Sequence, residues 1–422
     1  MKIVLANWGS RGEIEPCVAI GRELLRRGHE VRVAVAPDLV DFVEAAGVTG
    51  VAYGLDFHGI QEPYREFWTY FFRRFWRLVK LGRMWREVSG PLSQCREQVS
   101  ATLKSLVAEA DLLITGINYE DVAANVAEGC DIPLVALHYF PMRENGQLLS
   151  FLPAPIGRLA MKVFWWSAWR GPKKIEDAQR RELGLPKATT PWSRRIAERG
   201  SLEIQAYDEL CFPGLAAEWA TPVGQRPFVG TLTMELATET DVEVAAWIAG
   251  GAPPICFGFG SIPVESPADT VAMIAAVTMK LGERALICAA ATDFNGSPLP
   301  EHVKVVRTIN YATIFPICRA VVHHGGAGTT AASMRSGAPT LILWTGADQW
   351  IWGDRVTRLG VGTSRRFAAT TEETLLADLR TILAPQCSVR ARALAPRMTK
   401  PEESVKSTAD LVESFASAKR LS

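Results

Sequence analysis

Short apolar runs that end in glycine or a polar residue, followed by longer stretches with apolar positions three to four apart, recur along this chain. Lys2–Asn7 reads as a short strand, Gly9–Gly12 as a tight turn, Pro16–Arg27 as an amphipathic helix stopped at Gly28, and Val31–Ala36 as a second strand. That is one β-α-β unit, the opening of a doubly wound parallel sheet. Leu112–Thr115 and Leu134–Leu137 extend it, separated by the helical pattern Tyr119–Glu128. After the Pro- and Gly-containing stretch Pro213–Gly230 the pattern restarts, with strands at Ile255–Gly258, Ala285–Ala289, Val303–Val306, Ala320–His323 and Thr340–Leu343.

Each series opens with a strand that runs into a Gly-Ser turn, Gly9-Ser10 in the first and Gly260-Ser261 in the second. A chain of 422 residues also exceeds what one hydrophobic core usually serves. The fold expected is α/β, two Rossmann-like doubly wound parallel-sheet domains facing each other across a cleft. Residues 1–225 form the first domain, 226–240 a linker, 241–400 the second domain and 401–422 a terminal segment, with a hinge near Pro222–Gly230.

Composition narrows the chemistry by exclusion. Lysine and arginine number 46 against 45 acidic residues, a formal charge of +1, so a nucleic-acid partner is not indicated. Eight cysteines without any Cys-x-x-Cys spacing read as buried thiols of a reducing cytosol. The N-terminal MKIVLANWGS leads straight into a turn and reads as a strand, not a signal peptide, and no apolar run reaches the length of a membrane span. Phe67–Glu87 and Met161–Arg170 interleave aromatic rings with arginine and lysine. This suits a membrane surface or a greasy ligand, and equally an amphipathic helix packed on the domain.

Candidate chemistry is concentrated in HHGGAGTTAASMRSGAPTLILWTGADQ, His323–Gln349. Gly325, Gly326 and Gly328 let the chain turn sharply between a strand and a helix, so backbone N–H groups and the positive helix end favour an anion, most often phosphate. His324 adds a donor at the lip, and Thr329 and Thr330 add hydroxyls; a plain β-α turn with capping threonines is the competing reading. The next strand delivers Trp344, Thr345, Gly346, Asp348 and Gln349 to the same sheet edge, where ligands of such folds bind. An adjacent carboxylate and carboxamide match the donors and acceptors of sugar hydroxyls. A phosphate cradle beside a hydroxyl reader implies a nucleotide sugar.

On these residues the chain resembles the inverting, nucleotide-sugar-dependent glycosyltransferases of the GT-B class, the superfamily of UDP-glycosyltransferases and of sterol and glycopeptide-antibiotic glycosyltransferases. It is most similar to mycobacterial enzymes that glycosylate cell-envelope lipids such as glycopeptidolipids, through the stretches VGTSRRF at Val361–Phe367 and RTILAP at Arg380–Pro385. The likeness runs from GSRGEIEP to the C-terminal helix and is weakest over residues 55–220, where such enzymes choose acceptors. It implies that His324 contacts the diphosphate with Gly326, Gly328 and Thr329, that Ser261 faces the diphosphate from the other side, and that Asn310 and Tyr311 lie in the base-recognition loop. Asp348 and Gln349 would grip the sugar, and His323 would end its strand and pack. The final helix, about Glu402–Ala418, would cross back to the N-terminal domain.

The family places its general base and some phosphate contacts in the N-terminal turn, here Ser10, Arg11, Gly12 and Glu13. Related antibiotic glycosyltransferases carry aspartate where this chain has Glu13, and either carboxylate can take a proton from an acceptor hydroxyl. Ser10 and Glu13 also fit a capping box, a purely structural use; Asp121, His138 and Glu144 are the alternative bases. The activity implied is a single in-line displacement that moves a hexose or 6-deoxyhexose from a UDP- or dTDP-sugar to a hydroxyl of a hydrophobic, lipid or glycopeptidolipid-type acceptor. No cofactor is expected, and no metal, because no Asp-x-Asp or ligand-spaced cluster occurs. The expected place of work is the cytoplasm, with peripheral association at the inner membrane face. A small natural-product or sterol acceptor, a nucleotide-sugar epimerase and a non-catalytic binder are the alternatives. A dinucleotide oxidoreductase fits less well, since Gly-x-Gly-x-x-Gly is missing after Asn7.

Overall fold

Both strand series form, each as a six-stranded parallel sheet. The computed structural model describes residues 1–60, 63, 67, 70, 77–149, 152–260, 266–289, 299–346 and 348–421. The chain divides into one unit of residues 1–233 with 401–422, and a second of residues 234–400.

In the first unit β1 (Lys2–Ala6), β2 (Glu30–Val35), β3 (Thr49–Ala52), β4 (Leu112–Thr115), β5 (Leu134–His138) and β6 (Leu202–Gln205) lie in the order β3-β2-β1-β4-β5-β6. In the second, β7 (Ile255–Gly258), β8 (Ala285–Cys288), β9 (Val303–Val306), β10 (Ala320–His323), β11 (Thr340–Trp344) and β12 (Gly362–Arg366) lie in the order β12-β11-β10-β7-β8-β9. The two orders are the same Rossmann-like winding, in which the connection reverses direction between the first and fourth strands of each unit. Those switch points are β1 beside β4 and β7 beside β10. Ligands of such sheets bind beyond the carboxyl ends of the strands at these points.

Three strands were not anticipated, β3, β6 and β12, and each is an edge of its sheet. β12 reads GTSRR and is half-buried throughout, so it lacks the apolar run that marks a strand covered on both faces. β6 carries Glu203 and Gln205 into the interior, and the following segment covers its outer side: Glu203 N–H donates to Gln225 O at 2.8 Å and Gln205 N–H to Pro227 O at 2.8 Å.

The first helix runs Arg11–Arg26, five residues longer at its start than the pattern predicts. Pro16 marks no boundary there, because the capping box at Ser10 and Glu13 starts the helix ahead of it. Its inner face buries Ile14, Cys17, Val18, Ile20 and Leu24. The terminal helix Pro401–Leu421 belongs to the first unit and packs on Arg11–Arg26 with Ala409, Val412 and Ala416 buried. Arg27 fixes its register, bonding Asp410 and Glu413 at 2.7 Å each, and Arg420 pairs with Asp111 at 2.7 Å. Among the described residues no helix is long and apolar enough to cross a membrane.

Candidate active site

In the second unit the switch point is built around one imidazole. β10 ends at His323, and the turn that follows reaches the helix Ala327–Ser336 in three residues. Gly325 sits at φ +95°, and a Cβ there would lie 2.7 Å from Ile342 Cγ2, so only glycine makes this turn. The two histidines divide the work. His323 is fully buried, and its Nδ1 accepts the Gly325 N–H at 3.0 Å. Burial, then the neighbouring His324, hold its pKa well below the usual histidine range, so it is a neutral structural brace.

His324 lies outside the strand, half-buried, with its ring between two glycines. A Cβ on Gly260, after β7, would lie 2.5 Å from His324 Cε1, and one on Gly326 would lie 2.7 Å from His324 Nε2. Gly260 also has φ +69°, where side chains are rarely tolerated. Desolvation pushes His324 down to about 4, against a contact with the Gly258 backbone that raises it. At neutral pH it therefore offers a polar N–H and no full charge.

Gly326 caps the helix, and the first intrahelical bond runs from Thr330 N–H to Gly326 O at 2.9 Å. The N–H groups of Ala327, Gly328 and Thr329, ahead of it, have no partner inside the helix, and Thr329 is half-buried at this end. The Thr330 hydroxyl is occupied, donating to Gly326 O at 2.9 Å, so it does not add the free donor its position suggested.

β11 delivers the Asp-Gln pair beside this turn. Gln349 is buried as the first residue of the helix Gln349–Arg358, and Oε1 accepts from Thr345 N–H at 2.8 Å and Thr345 Oγ1 at 3.0 Å. Its oxygen ties down the loop, which leaves the amide nitrogen as the group able to meet a ligand. Asp348 is the N-cap of that helix. Desolvation raises it to about 6, although its own backbone N–H and the Trp352 side chain pull the other way.

A carboxylate held well above its usual range destabilises the empty protein once it ionises. The folded chain keeps the Asp348 proton between about pH 4 and 6 while the unfolded chain releases it, so this contribution is complete below about pH 4 and is lost as pH rises through 6. Thermal unfolding of the wild type between pH 4 and 7 should therefore fall relative to Asp348→Asn by on the order of 2 kcal/mol. Parallel curves would refute the assignment.

Asn310 caps the short helix Tyr311–Ile314, its Oδ1 accepting from Ala312 N–H at 3.0 Å, and its own N–H donates to Asp241 Oδ1 at 2.8 Å. Tyr311 stacks on Phe315 with ring centres 4.5 Å apart, and its hydroxyl lies 4.0 Å from where a Gly258 Cβ would stand. The loop expected to meet a base thus reaches the same strand end as His324. Ser261 lies outside the described residues, as does most of the aromatic-basic stretch from Trp68 to Trp76.

The first unit places Glu13 at its own switch point. Glu13 Oε2 accepts the Ser10 N–H at 2.7 Å, the glutamate half of the capping box, and Oε1 accepts from Asn118 Nδ2 at 2.7 Å. Asn118, which follows β4, also donates to Trp8 O at 2.8 Å and so joins the ends of both central strands. A Cβ on Gly9 would stand 2.2 Å from Glu13 Oε2, so the carboxylate folds back over bare backbone. Asn7 and Tyr139 hold the Glu13 carbonyl at 2.7 and 3.1 Å. Arg11 is exposed over the Phe42 ring, 4.8 Å from its centre, and Gly12 is exposed in the first turn. Asn118 is the residue sequence reasoning missed; its one signal was a polar side chain just past a central strand.

The alternative bases sit in different surroundings. His138 is fully buried, and its Nε2 lies 2.8 Å from Glu120 Oε1. Despite the cost of burial, Arg143 and His138 hold Glu120 far below the usual carboxylate range. Arg143 also bonds Glu203, which Arg226 reaches at 3.0 Å, so His138 belongs to a buried ion network that braces the loop after β5. Asp121 is paired with Arg96. Glu144 is exposed, and its engaged atom is the carbonyl, which accepts from Trp219 Nε1 at 3.1 Å.

Comparison with known proteins shows the family and the fold. Residues 272–412 match the C-terminal domain of the erythromycin biosynthesis protein CIII-like family, and residues 3–111 match the glycosyltransferase family 28 N-terminal domain. Over 418 residues, 99% of both chains, this protein is 56% identical to an uncharacterised glycosyltransferase of Mycobacterium tuberculosis H37Rv. It is 27% identical to a sterol 3-beta-glucosyltransferase of Arabidopsis thaliana, over 97% of this chain and 67% of that one. Among solved structures, the glycosyltransferase of kitacinnamycin superposes with a TM-score of 0.72 at 17% identity, covering 98% of this chain and 99% of that one. The glycosyltransferase VinC, in complex with dTDP, gives 0.63 at 17% identity, covering 99% and 100%.

Proposed function

Since the chain belongs to the glycosyltransferase family of that mycobacterial relative and has the GT-B fold, we propose that it transfers a hexose or 6-deoxyhexose from a UDP- or dTDP-sugar to a hydroxyl of a hydrophobic acceptor met at a membrane surface. The observation that carries the donor half is the seat of His324 between Gly260 and Gly326, at the head of the helix Ala327–Ser336. The site offers neutral N–H donors and a helix N-terminus, the chemistry that accepts a diphosphate. The dTDP bound to VinC supports the same donor class.

In this reading the acceptor oxygen attacks the anomeric carbon as the bond to the diphosphate oxygen breaks, and the configuration inverts. The acceptor proton passes to Glu13, and the nucleoside diphosphate leaves with the bonding electrons. Charge grows on the leaving phosphate, where His324, Thr329 and the N–H groups of the helix end stabilise it without a metal ion. Asp348 and the Gln349 amide nitrogen orient the sugar, while Asn310 and Tyr311 border the base. The sterol glucosyltransferase likeness supports an apolar acceptor carrying a hydroxyl.

A thermal-shift series with UDP, dTDP, GDP and their sugars tests the donor assignment. UDP or dTDP at a hundred times its dissociation constant should stabilise the protein by about 2.7 kcal/mol, and the matching sugar nucleotide more per unit concentration. If no nucleoside diphosphate stabilises the protein, the donor site as described is wrong.

A further inference from the structure

The helix Ala154–Arg170 has two apolar faces, and the fold uses only one. Gly157, Met161 and Trp169 are buried, and the half-buried Trp165 meets Trp192 edge-on with ring centres 6.2 Å apart. These residues recur every fourth position and form the inward stripe. Ile156, Leu159, Val163 and Trp166 are 53%, 61%, 55% and 50% exposed, and Phe164 is 63% exposed. At about 100° per residue this second stripe lies on the side of the helix opposite the first. Four large apolar side chains held in water on one helix face, with Phe164 exposed at its margin, mark an interaction surface.

The charges around it identify the partner. No acidic residue occurs from Ala154 to Ile175, whereas Arg158, Lys162, Arg170, Lys173 and Lys174 do. Arg158 and Lys173 are paired, with Glu218 at 2.9 Å and Asp177 at 2.8 Å. Lys162, Arg170 and Lys174 have no carboxylate within ion-pair distance among the described residues, and the Arg170 guanidinium lies over the Trp166 ring at 4.9 Å. A second copy docked face to face would crowd these cations against their equivalents. An anionic bilayer satisfies both features, taking the apolar side chains into its acyl boundary while the long cationic side chains reach lipid phosphates.

We propose that the outer face of the helix Ala154–Arg170 docks the protein on an anionic membrane surface through Ile156, Leu159, Val163, Phe164 and Trp166, with Lys162, Arg170 and Lys174 meeting the headgroups. The proposal deepens the reading of a membrane-met acceptor and rests on it for its purpose. Docking is measured without turnover, so its failure leaves sugar transfer standing, and the reverse holds.

The test is co-sedimentation of the full chain with vesicles of phosphatidylcholine alone and with added phosphatidylglycerol. Binding should favour the anionic vesicles by about tenfold or more and weaken as salt is raised. Phe164→Glu with Trp166→Glu, and separately Lys162→Glu with Lys174→Glu, should each lower that binding by about tenfold or more at unchanged Tm, since all four side chains are exposed. No binding to anionic vesicles, or wild-type binding by either variant, would overturn the proposal. So would sedimentation velocity showing a wild-type dimer that Phe164→Glu with Trp166→Glu splits.

Discussion

Replacing His324 by alanine is expected to lower kcat/KM for sugar transfer by about 10²–10³-fold, the usual cost of removing one preorganised donor from a developing anion. The loss should fall mainly on kcat, because the leaving phosphate gains charge only as the bond breaks. The Tm should change little, since His324 is half-buried past the end of its strand and is not part of the apolar core of its unit. A companion change separates the ring's position from its presence. Gly260→Ala leaves His324 in the sequence but places a Cβ 2.5 Å from its Cε1, at a backbone φ of +69°, so it should reproduce much of the loss by displacing the ring. His324→Gln, which keeps a side-chain N–H, should recover part of the activity. Transfer by His324→Ala within threefold of wild type would remove the imidazole from the mechanism.

The central strands of both sheets were legible because burial on both faces leaves unbroken apolar runs such as LLIT in β4 and ICFG in β7. The edge strands β3, β6 and β12 were not, for the converse reason, whereas the edge strand β9 was marked by Val303, Val305 and Val306. β12 presents Arg365 and Arg366 with half-buried neighbours, and Arg365 is held there by Asp378 at 2.9 Å, a partner thirteen residues on that periodicity does not reveal. The start of the first helix was misread at Pro16 because proline is a stronger local mark than the Ser10–Glu13 box, and the box won.

The candidate site was legible as a list of residues and illegible as a set of commitments. Spacing pointed to the glycine turn and to Asp348-Gln349, but it could not say that Gly260 and Gly326 make room for His324, since that depends on contacts 64 and 2 residues away in the chain. Nor could it show that Gln349 spends its oxygen on Thr345, or that Asp348 is desolvated strongly enough for burial to outweigh the positive end of its own helix. Asn118 meets Glu13 over a separation of 105 residues, which only the parallel pairing of β1 with β4 brings together.

That meeting decides how Glu13, the proposed base, should respond to substitution. Ser10 N–H donates to one of its oxygens and Asn118 Nδ2 to the other, which holds the carboxylate at the switch point of the first sheet. Glu13→Gln keeps the length and one acceptor oxygen, so the cap survives in part and stability should fall by about 1 kcal/mol or less. Proton abstraction does not survive, and kcat should fall by about 10²–10⁴-fold with KM for the donor nearly unchanged. Asn118→Ala removes the positioning bond to Glu13, together with the bond to Trp8 O, but keeps the carboxylate, and should lower kcat by less, with its pH profile displaced from wild type; Asn118→Gln is the conservative variant that tests rescue. If Glu13 served only as a cap, Glu13→Gln would cost the same stability in a thermal melt and leave kcat intact. The ratio of the two losses therefore separates the roles, because a capping bond and a proton transfer draw on the same carboxylate but only the transfer needs it to change protonation during turnover.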